Sequence, residues 1–147
     1  MILLKVSAIS KRQGHDVMVR NIHFEQQHLQ KIAIAGASGS GKTTLLKILA
    51  GLIQPDEGEV ILENKRVKGP HEKLVPGHPQ IAYLSQHFEL RNNYRVAEIL
   101  EYANTLLPGK AEALYEVCRI SHLLQRKTDA LSGGEKQRIA LARLLTT

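Results

Sequence analysis

A glycine-rich segment early in the chain has the composition of a phosphate-binding loop. Eight residues follow the pattern G-x-x-x-x-G-K-[ST]: Gly36, Ala37, Ser38, Gly39, Ser40, Gly41, Lys42 and Thr43. Glycines let the backbone curl closely around phosphate oxygens, where a Cβ would intrude, and successive N–H groups then point at the anion. Lys42 adds a full positive charge, and the Thr43 hydroxyl is an oxygen ligand suited to Mg²⁺. The spacing predicts a polyphosphate site with a magnesium ion.

The segments on either side of this loop are predicted to position it. Residues 31–35 read Lys-Ile-Ala-Ile-Ala, and small and β-branched residues on both faces predict a buried strand of a parallel sheet. Residues 43–52 carry apolar residues at 45, 46, 48 and 49, a helical stripe that Gly51 helps to end. The helix would aim the positive end of its dipole at the phosphates.

A second motif lies near the end of the sequence and comprises Ser132, Gly133, Gly134 and Glu135. Ser132 and Glu135 have the spacing of a capping box before an apolar-periodic segment. One interpretation is a helix capped for its own stability. However, each glycine in a helix costs about 1 kcal/mol relative to alanine, and exposed backbone at a helix start is suited to close contact with an anion.

The remaining pattern predicts a mixed architecture. Strands are expected at 2–9, 17–24, 59–62 and 81–84, a loop at 64–80, helices across 96–126 with a break at 108–109, and a last helix at 133–145. Tyr83 and Tyr102 are expected to pack rather than to stack on a ligand.

Composition limits the classes of protein that fit. The 147 residues are 43% hydrophobic and 23% charged, with one cysteine, so a disulfide-stapled secreted fold and a disordered chain are excluded. No stretch approaches the ~18 apolar residues of a membrane span, which predicts a cytoplasmic chain attached to a membrane only through a partner. The net charge of +6 suits a polyanion, but the scattered, mixed charges favour an ordinary solvated surface.

Together the two motifs resemble the nucleotide-binding domain of ATP-binding cassette (ABC) ATPases. Leu131–Glu135 is similar to the family signature LSGGQ, with Glu135 in place of the final glutamine. Residues 51–60 resemble the segment after the P-loop helix, and residues 81–86 resemble the strand that ends in the Q-loop glutamine. The resemblance covers essentially the whole chain, with the motifs in the family's order.

The resemblance implies an α/β P-loop NTPase fold with a mainly parallel core sheet, an N-terminal antiparallel β subdomain and a helical subdomain. It divides the sequence into a β and P-loop core at 1–86, a helical subdomain at 87–131 and the signature helix at 132–147. It also implies that the C-terminal part of the fold is missing.

The family's roles can be carried over to matching residues. Gly36–Thr43 and Thr44 would hold the triphosphate of ATP, and Thr43 and Gln86 would bind Mg²⁺. Ser132–Glu135 would face ATP held by a second nucleotide-binding domain, in a head-to-tail homodimer or heterodimer. The helical subdomain would dock on a transmembrane transporter subunit, which implies a peripheral location on the cytoplasmic face of the membrane.

The sequence departs from the family pattern in two places. Gln13 stands where an aromatic residue usually stacks on adenine, which predicts weak purine selectivity. The Walker B aspartate, the catalytic glutamate, the D-loop and the switch histidine do not occur in these residues. We therefore expect no catalytic residue in this chain and a domain truncated after the signature motif.

The leading functional hypothesis is the ATP-hydrolysing subunit of a membrane transporter. One alternative is a soluble ABC ATPase that acts on nucleic acid or ribosomes. The lack of a heptad run makes that alternative less favoured, so no direct nucleic-acid partner is expected. Another is a non-hydrolysing nucleotide-binding fragment.

Overall fold

Two long strands form a hairpin at the start of the chain. In the computed structural model, which describes all 147 residues, β1 (Ile2–Gln13) pairs antiparallel with β2 (Asp16–Gln27) around a turn in which Gly14 has a φ of 61°. The other edge of β1 pairs with β3 (Glu57–Leu62), which pairs with the two-residue β4 (Lys65–Arg66). The resulting sheet has the order β2-β1-β3-β4, and every pairing is antiparallel.

One helix packs against this sheet. Helix α1 (Lys42–Leu49) buries Leu45, Ile48 and Leu49 at positions three and four apart, which places them on one face. These side chains join buried residues of the strands, and Val67 just after β4, in one hydrophobic core, whose strand members are Leu4, Val6, Ile9, Val19, Val60 and Leu62. The core belongs to the first of two compact units, Met1–Tyr83.

The second unit, Leu84–Thr147, is helical. It contains α2 (Val96–Ala103), α3 (Lys110–Val117) and α4 (Gly133–Thr146), with short 3₁₀ turns at Ser121–Leu123 and Thr128–Ala130. Its own hydrophobic core is formed by Val96, Leu100, Ala111, Tyr115, Ile120, Leu123, Leu131, Ile139 and Ala142.

The structure confirms most of the predicted elements: the hairpin strands, α1, β3, the break between α2 and α3, and α4. The strand predictions at 31–35 and 81–84 are wrong, because both segments are irregular and none of the four strands pairs with them. A strand exists only when a neighbouring backbone supplies its hydrogen bonds, and apolar composition alone does not supply that partner. The predicted parallel pairing is therefore not formed by these segments.

None of the helices is both long and apolar enough to cross a lipid bilayer; the longest, α4, has 14 residues.

Candidate nucleotide-binding site

The glycine-rich loop leads directly into α1. Gly39 and Gly41 have φ values of 80° and 85°, in the left-handed region that favours glycine. The Ser40 N–H donates to the Ala37 carbonyl over 3.2 Å, which closes a turn inside the loop. Gly41 is the residue that precedes the helix, and its carbonyl accepts the first helical hydrogen bond, from the Leu45 N–H at 2.9 Å.

The loop is held closely against the hairpin at Gly41. A Cβ added at Gly41 would lie 2.0 Å from the carbonyl oxygen of Met18, a backbone atom of β2. By contrast, a Cβ added at Gly39 would meet no atom within 4 Å. One glycine therefore allows close packing of the loop on the sheet, and the other lies where the loop is open to a ligand.

Lys42 places its ammonium group over the loop. Its Nζ donates to the carbonyl oxygens of Gly36 at 2.9 Å and Ala37 at 2.6 Å, and lies 3.4 Å from the Ser40 hydroxyl. The side chain thus curls back from the helix start toward the backbone it follows. This arrangement brings a full positive charge to the concave side of the loop.

The start of α1 carries no side-chain cap, because Gly41 has no side chain to supply one. The first N–H groups of a helix lack partners within the helix, so those of α1 are not satisfied by a capping side chain. The Thr43 hydroxyl belongs to an exposed residue in this first turn, and the neighbouring Thr44 is half-buried. Backbone donors, an ammonium group and a hydroxyl form a donor set that fits a polyphosphate with a hard metal ion.

The second motif forms the start of α4, and its capping box is present. The Ser132 side chain accepts from the Glu135 N–H at 3.3 Å, and the Glu135 carboxylate accepts from the Ser132 N–H at 2.7 Å. Hydrogen bonds from Ser132, first from its backbone and then from its hydroxyl, lower the pKa of Glu135, and the nearby charge of Arg126 acts in the same direction.

The two glycines of this motif have no packing role inside the chain. A Cβ at Gly133 would meet nothing within 4 Å, and one at Gly134 would meet only the Arg138 guanidinium, at 4.0 Å. Both residues are exposed. The lack of a side chain at these positions is therefore not explained by contacts within the chain.

The predicted site residues fall into the two units. The first unit brings Gly36–Thr43 and Thr44 together around the start of α1. In the second unit, Ser132–Glu135 form one helical turn, and Gln86 is an exposed residue of the turn at 86–89.

Sequence reasoning missed a groove in the second unit. Its volume is about 780 Å³, and it is lined by Arg91, Tyr94, Glu98, Ile99, Tyr102, Ala103, Arg143, Leu144 and Thr147. The packing prediction for Tyr102 is wrong: the residue is exposed, and the Arg91 guanidinium lies 5.7 Å from its ring centre. The tyrosines and arginines between residues 91 and 102 were the available signal, but such residues are also common on solvated surfaces.

A family profile described as ABC transporter matches residues 19–147. The chain belongs to the ABC transporter family. The predicted membership of this family is thereby confirmed, and most of the chain lies within the matched region.

Curated relatives in the ABC transporter family are import ATP-binding proteins. The chain is 37% identical over 151 residues to the molybdate/tungstate import ATP-binding protein of Pyrococcus abyssi, covering 97% of this chain and 42% of that protein. It is 33% identical over 155 residues to the sulfate/thiosulfate import ATP-binding protein of Shewanella oneidensis, covering 98% and 40%. The maltose/maltodextrin import ATP-binding protein of Yersinia pestis is 32% identical over 149 residues, covering 97% and 39%. The chain thus spans about two-fifths of the length of these ABC relatives.

Solved ABC cassettes share the fold of this chain. A dimeric ATP-binding cassette in a post-hydrolysis state bound to ADP and Pi superposes with a TM-score of 0.76 at 23% identity, covering 98% of this chain and 69% of that one. The CbiO1 protein of Clostridium perfringens, part of an ABC transporter complex, has a TM-score of 0.74 at 22% identity, covering 99% and 61%. These likenesses confirm the P-loop NTPase fold.

Proposed function

We propose that the chain is the ATP-binding part of a subunit that hydrolyses ATP to power an ABC membrane transporter. One observation carries the proposal: the Lys42 ammonium lies over a glycine loop at the uncapped start of α1. Such a loop provides the positive charge and backbone donors that a nucleotide polyphosphate requires. The names of the three curated relatives given above, each an import ATP-binding protein, support a transporter rather than a nucleic-acid or ribosome-associated ATPase.

In the proposed role, residues 36–44 cradle the triphosphate. Lys42 exchanges the Gly36 and Ala37 carbonyls for phosphate oxygens, so its bonds to the loop become bonds to the ligand. The Thr43 hydroxyl would supply an oxygen atom to Mg²⁺, in keeping with the preference of this ion for oxygen ligands. The family resemblance implies the same role for Gln86. Bound Mg²⁺ would neutralise part of the phosphate charge.

We assign the signature residues to a neighbouring subunit's ATP. Gly133 and Gly134 are exposed and make no close contact inside the chain. Because they have no side chains, an external anion can approach the backbone closely at the start of α4. A head-to-tail pair of nucleotide-binding domains would place each signature motif opposite the P-loop of the other. The cassette of a solved ABC relative is dimeric, which supports this assignment.

The second unit is proposed to dock on a transmembrane subunit. Its groove combines apolar and aromatic surface from Ile99, Tyr94 and Tyr102 with the charged groups of Arg91 and Arg143. Aromatic and arginine side chains of this kind are enriched in protein interfaces. Docking would hold the chain at the cytoplasmic face of the membrane without a membrane span of its own.

Removal of the Lys42 charge tests the proposed ATP site. Charge-assisted hydrogen bonds are worth about 1.5–3 kcal/mol each, so Lys42→Ala is expected to weaken ATP binding at least about tenfold in an equilibrium titration. Lys47→Ala is the matched control, since Lys47 lies in the last turn of α1 rather than in the loop. Equal affinity of the Lys42→Ala protein and the unaltered chain would show that the loop is not the phosphate site.

A further inference from the structure

The loop between β4 and residue 80 exposes two adjacent apolar side chains. Leu74 is 98% exposed and Val75 is 70% exposed, among the highest values for large hydrophobic residues in the chain. They directly follow Lys73 and precede Pro76. The loop therefore presents an aliphatic tip to the surroundings, at the cost of leaving that apolar surface in water.

The base of this loop is anchored on both sides of the tip. On one side, the Glu72 carboxylate forms an ion pair with Arg66 and accepts from the Gly69 N–H at 3.1 Å. On the other side, the N–H groups of Gly77 and His78 donate to the carbonyls of Gly51 and Ala50, each at 2.9 Å. The exposed tip therefore belongs to a loop that is hydrogen-bonded on both sides, not to a free terminus.

The tip itself is closed by a lysine. The Lys73 ammonium donates to the Gly77 carbonyl and so spans Leu74, Val75 and Pro76. This bond shortens the projecting segment and restricts how far the two apolar residues can fold back. Pro76 also fixes its own backbone φ, which further limits the available conformations.

Basic side chains surround the base of the tip. A depression of about 600 Å³ is lined by Lys65, Arg66, Lys68, Glu72, Lys73, His78 and Pro79. Its four basic and one acidic side chains have a formal net charge of +3. Because Glu72 pairs with Arg66, the charge of the three lysines remains uncompensated within the depression.

We propose that this loop binds directly to an anionic phospholipid membrane, with Leu74 and Val75 entering the headgroup region and Lys65, Lys68 and Lys73 contacting lipid phosphates. Apolar residues beside basic ones are the combination by which peripheral segments bind a charged interface. Single-stranded nucleic acid, the other common polyanion, is usually bound through aromatic stacking, and the tip has no aromatic residue. The inference does not depend on the proposed ATP site.

Vesicle co-sedimentation of the full chain tests the charge component. Binding is expected to vesicles of phosphatidylcholine with about 30 mol% phosphatidylserine and to be much weaker to phosphatidylcholine alone. Lys65→Gln with Lys68→Gln is expected to lower the partition coefficient about 25-fold, roughly fivefold per lysine. Lys110→Gln with Lys127→Gln removes the same charge from exposed positions of the second unit and is expected to have a much smaller effect.

The apolar component is tested in the same assay. Leu74→Ser with Val75→Ser is expected to reduce partitioning at least about tenfold, because the apolar area that enters the interface is lost. Leu29→Ser is the matched control, since Leu29 is 87% exposed but lies far along the sequence from the basic depression. Thermal unfolding followed by circular dichroism verifies that each variant is folded.

A fluorescent reporter tests insertion directly. The chain has no tryptophan, so Leu74→Trp introduces a single emitter at the tip and Leu29→Trp introduces one elsewhere. A blue shift on adding anionic vesicles is expected for Leu74→Trp alone. The proposal is overturned if the vesicles do not bind, if the two reporters respond equally, or if binding is lost with the lysines but unaffected by Leu74→Ser with Val75→Ser.

Discussion

Single residues decide how closely the glycine-rich loop approaches the hairpin. Gly41 combines a φ of 85° with a position where a Cβ would overlap the Met18 carbonyl. Gly39 has a similar φ of 80° but has open space where a Cβ would lie. A side chain at Gly39 would therefore introduce backbone strain alone, whereas one at Gly41 would introduce both strain and steric overlap.

Alanine at each glycine should measure these two costs. Left-handed backbone costs a residue with a side chain about 1–2 kcal/mol, so Gly39→Ala should lower the free energy of unfolding by about that amount. Gly41→Ala should cost about 1–3 kcal/mol more, because backbone atoms must also move to relieve the overlap. Chemical denaturation of both variants measures the difference, and equal losses would contradict the close packing of Gly41 on β2.

Selectivity for the nucleotide base is a second property that depends on one residue. Gln13 is the exposed last residue of β1, beside the turn of the hairpin. The family resemblance implies that this position lies next to the adenine base, where an amide provides little of the stacking energy of an aromatic ring. ATP should then be preferred over GTP by less than about 30-fold, or about 2 kcal/mol, in competition for a fluorescent analogue. Gln13→Tyr should raise ATP affinity about three- to tenfold, whereas Gln27→Tyr, at the far end of the hairpin, should not.

At the scale of elements, α1 and α4 begin in opposite ways. Gly41 leaves the start of α1 without a side-chain cap, whereas Ser132 and Glu135 cap α4 reciprocally. The uncapped start suits a helix whose first N–H groups are proposed to meet phosphate. The capped start gives α4 stability of its own, since loss of a capping side chain typically costs about 1 kcal/mol.

The capping carboxylate should make the stability of α4 depend on pH. The pKa of Glu135 is lowered in the folded chain, mainly by hydrogen bonds from Ser132, so its stabilising effect is present above its ordinary pKa and is lost as the pH falls through the folded value. Glu135→Gln keeps the side-chain acceptor but cannot titrate. Denaturation at neutral and strongly acidic pH should therefore show a smaller acid-induced loss for this variant. An identical pH profile would mean that the carboxylate is not engaged in the cap.

We propose that these 147 residues supply only part of the chemistry that ATP hydrolysis requires. They include the glycine-rich loop at 36–43 and the turn at 132–135, and no apolar run ending in Asp-Glu occurs among them. Phosphoryl transfer to water needs groups that orient the water and surround the transition state with positive charge. The proposed roles of these residues include no group that orients the attacking water.

We therefore predict that the 147-residue chain alone does not turn over Mg-ATP. Loss of a general base typically reduces the rate by orders of magnitude, so phosphate release should not exceed that of a matched Lys42→Ala sample. Steady release by the unaltered chain that disappears in the Lys42→Ala sample would show that a catalytic carboxylate lies within these residues.

Features that depend on neighbouring residues in the sequence were predictable. Glycine and lysine at fixed spacing predict a tight loop before a helix, and the structure places Lys42 against the Gly36 and Ala37 carbonyls of that loop. The cap of α4 follows from Ser132 and Glu135 three residues apart, and both of its hydrogen bonds form. The two strands of the hairpin follow from the sequence patterns at 2–9 and 17–24. In each case the interacting groups are brought together by local backbone geometry.

Features that depend on distant residues were decided by the tertiary structure. Residues 31–35 and 81–84 have the composition of strands but lack pairing partners in the sheet. From the sequence, Leu74 and Val75 are ordinary apolar residues of a loop. In the structure, Gly77 and His78 are hydrogen-bonded to the end of α1, and Leu74 and Val75 project beside the basic depression. Sequence alone determined the glycine-rich helix start of α1 and the capped start of α4, because their geometry is local. Strand pairing and surface exposure required the structure, because both depend on which distant backbone or side chain lies alongside.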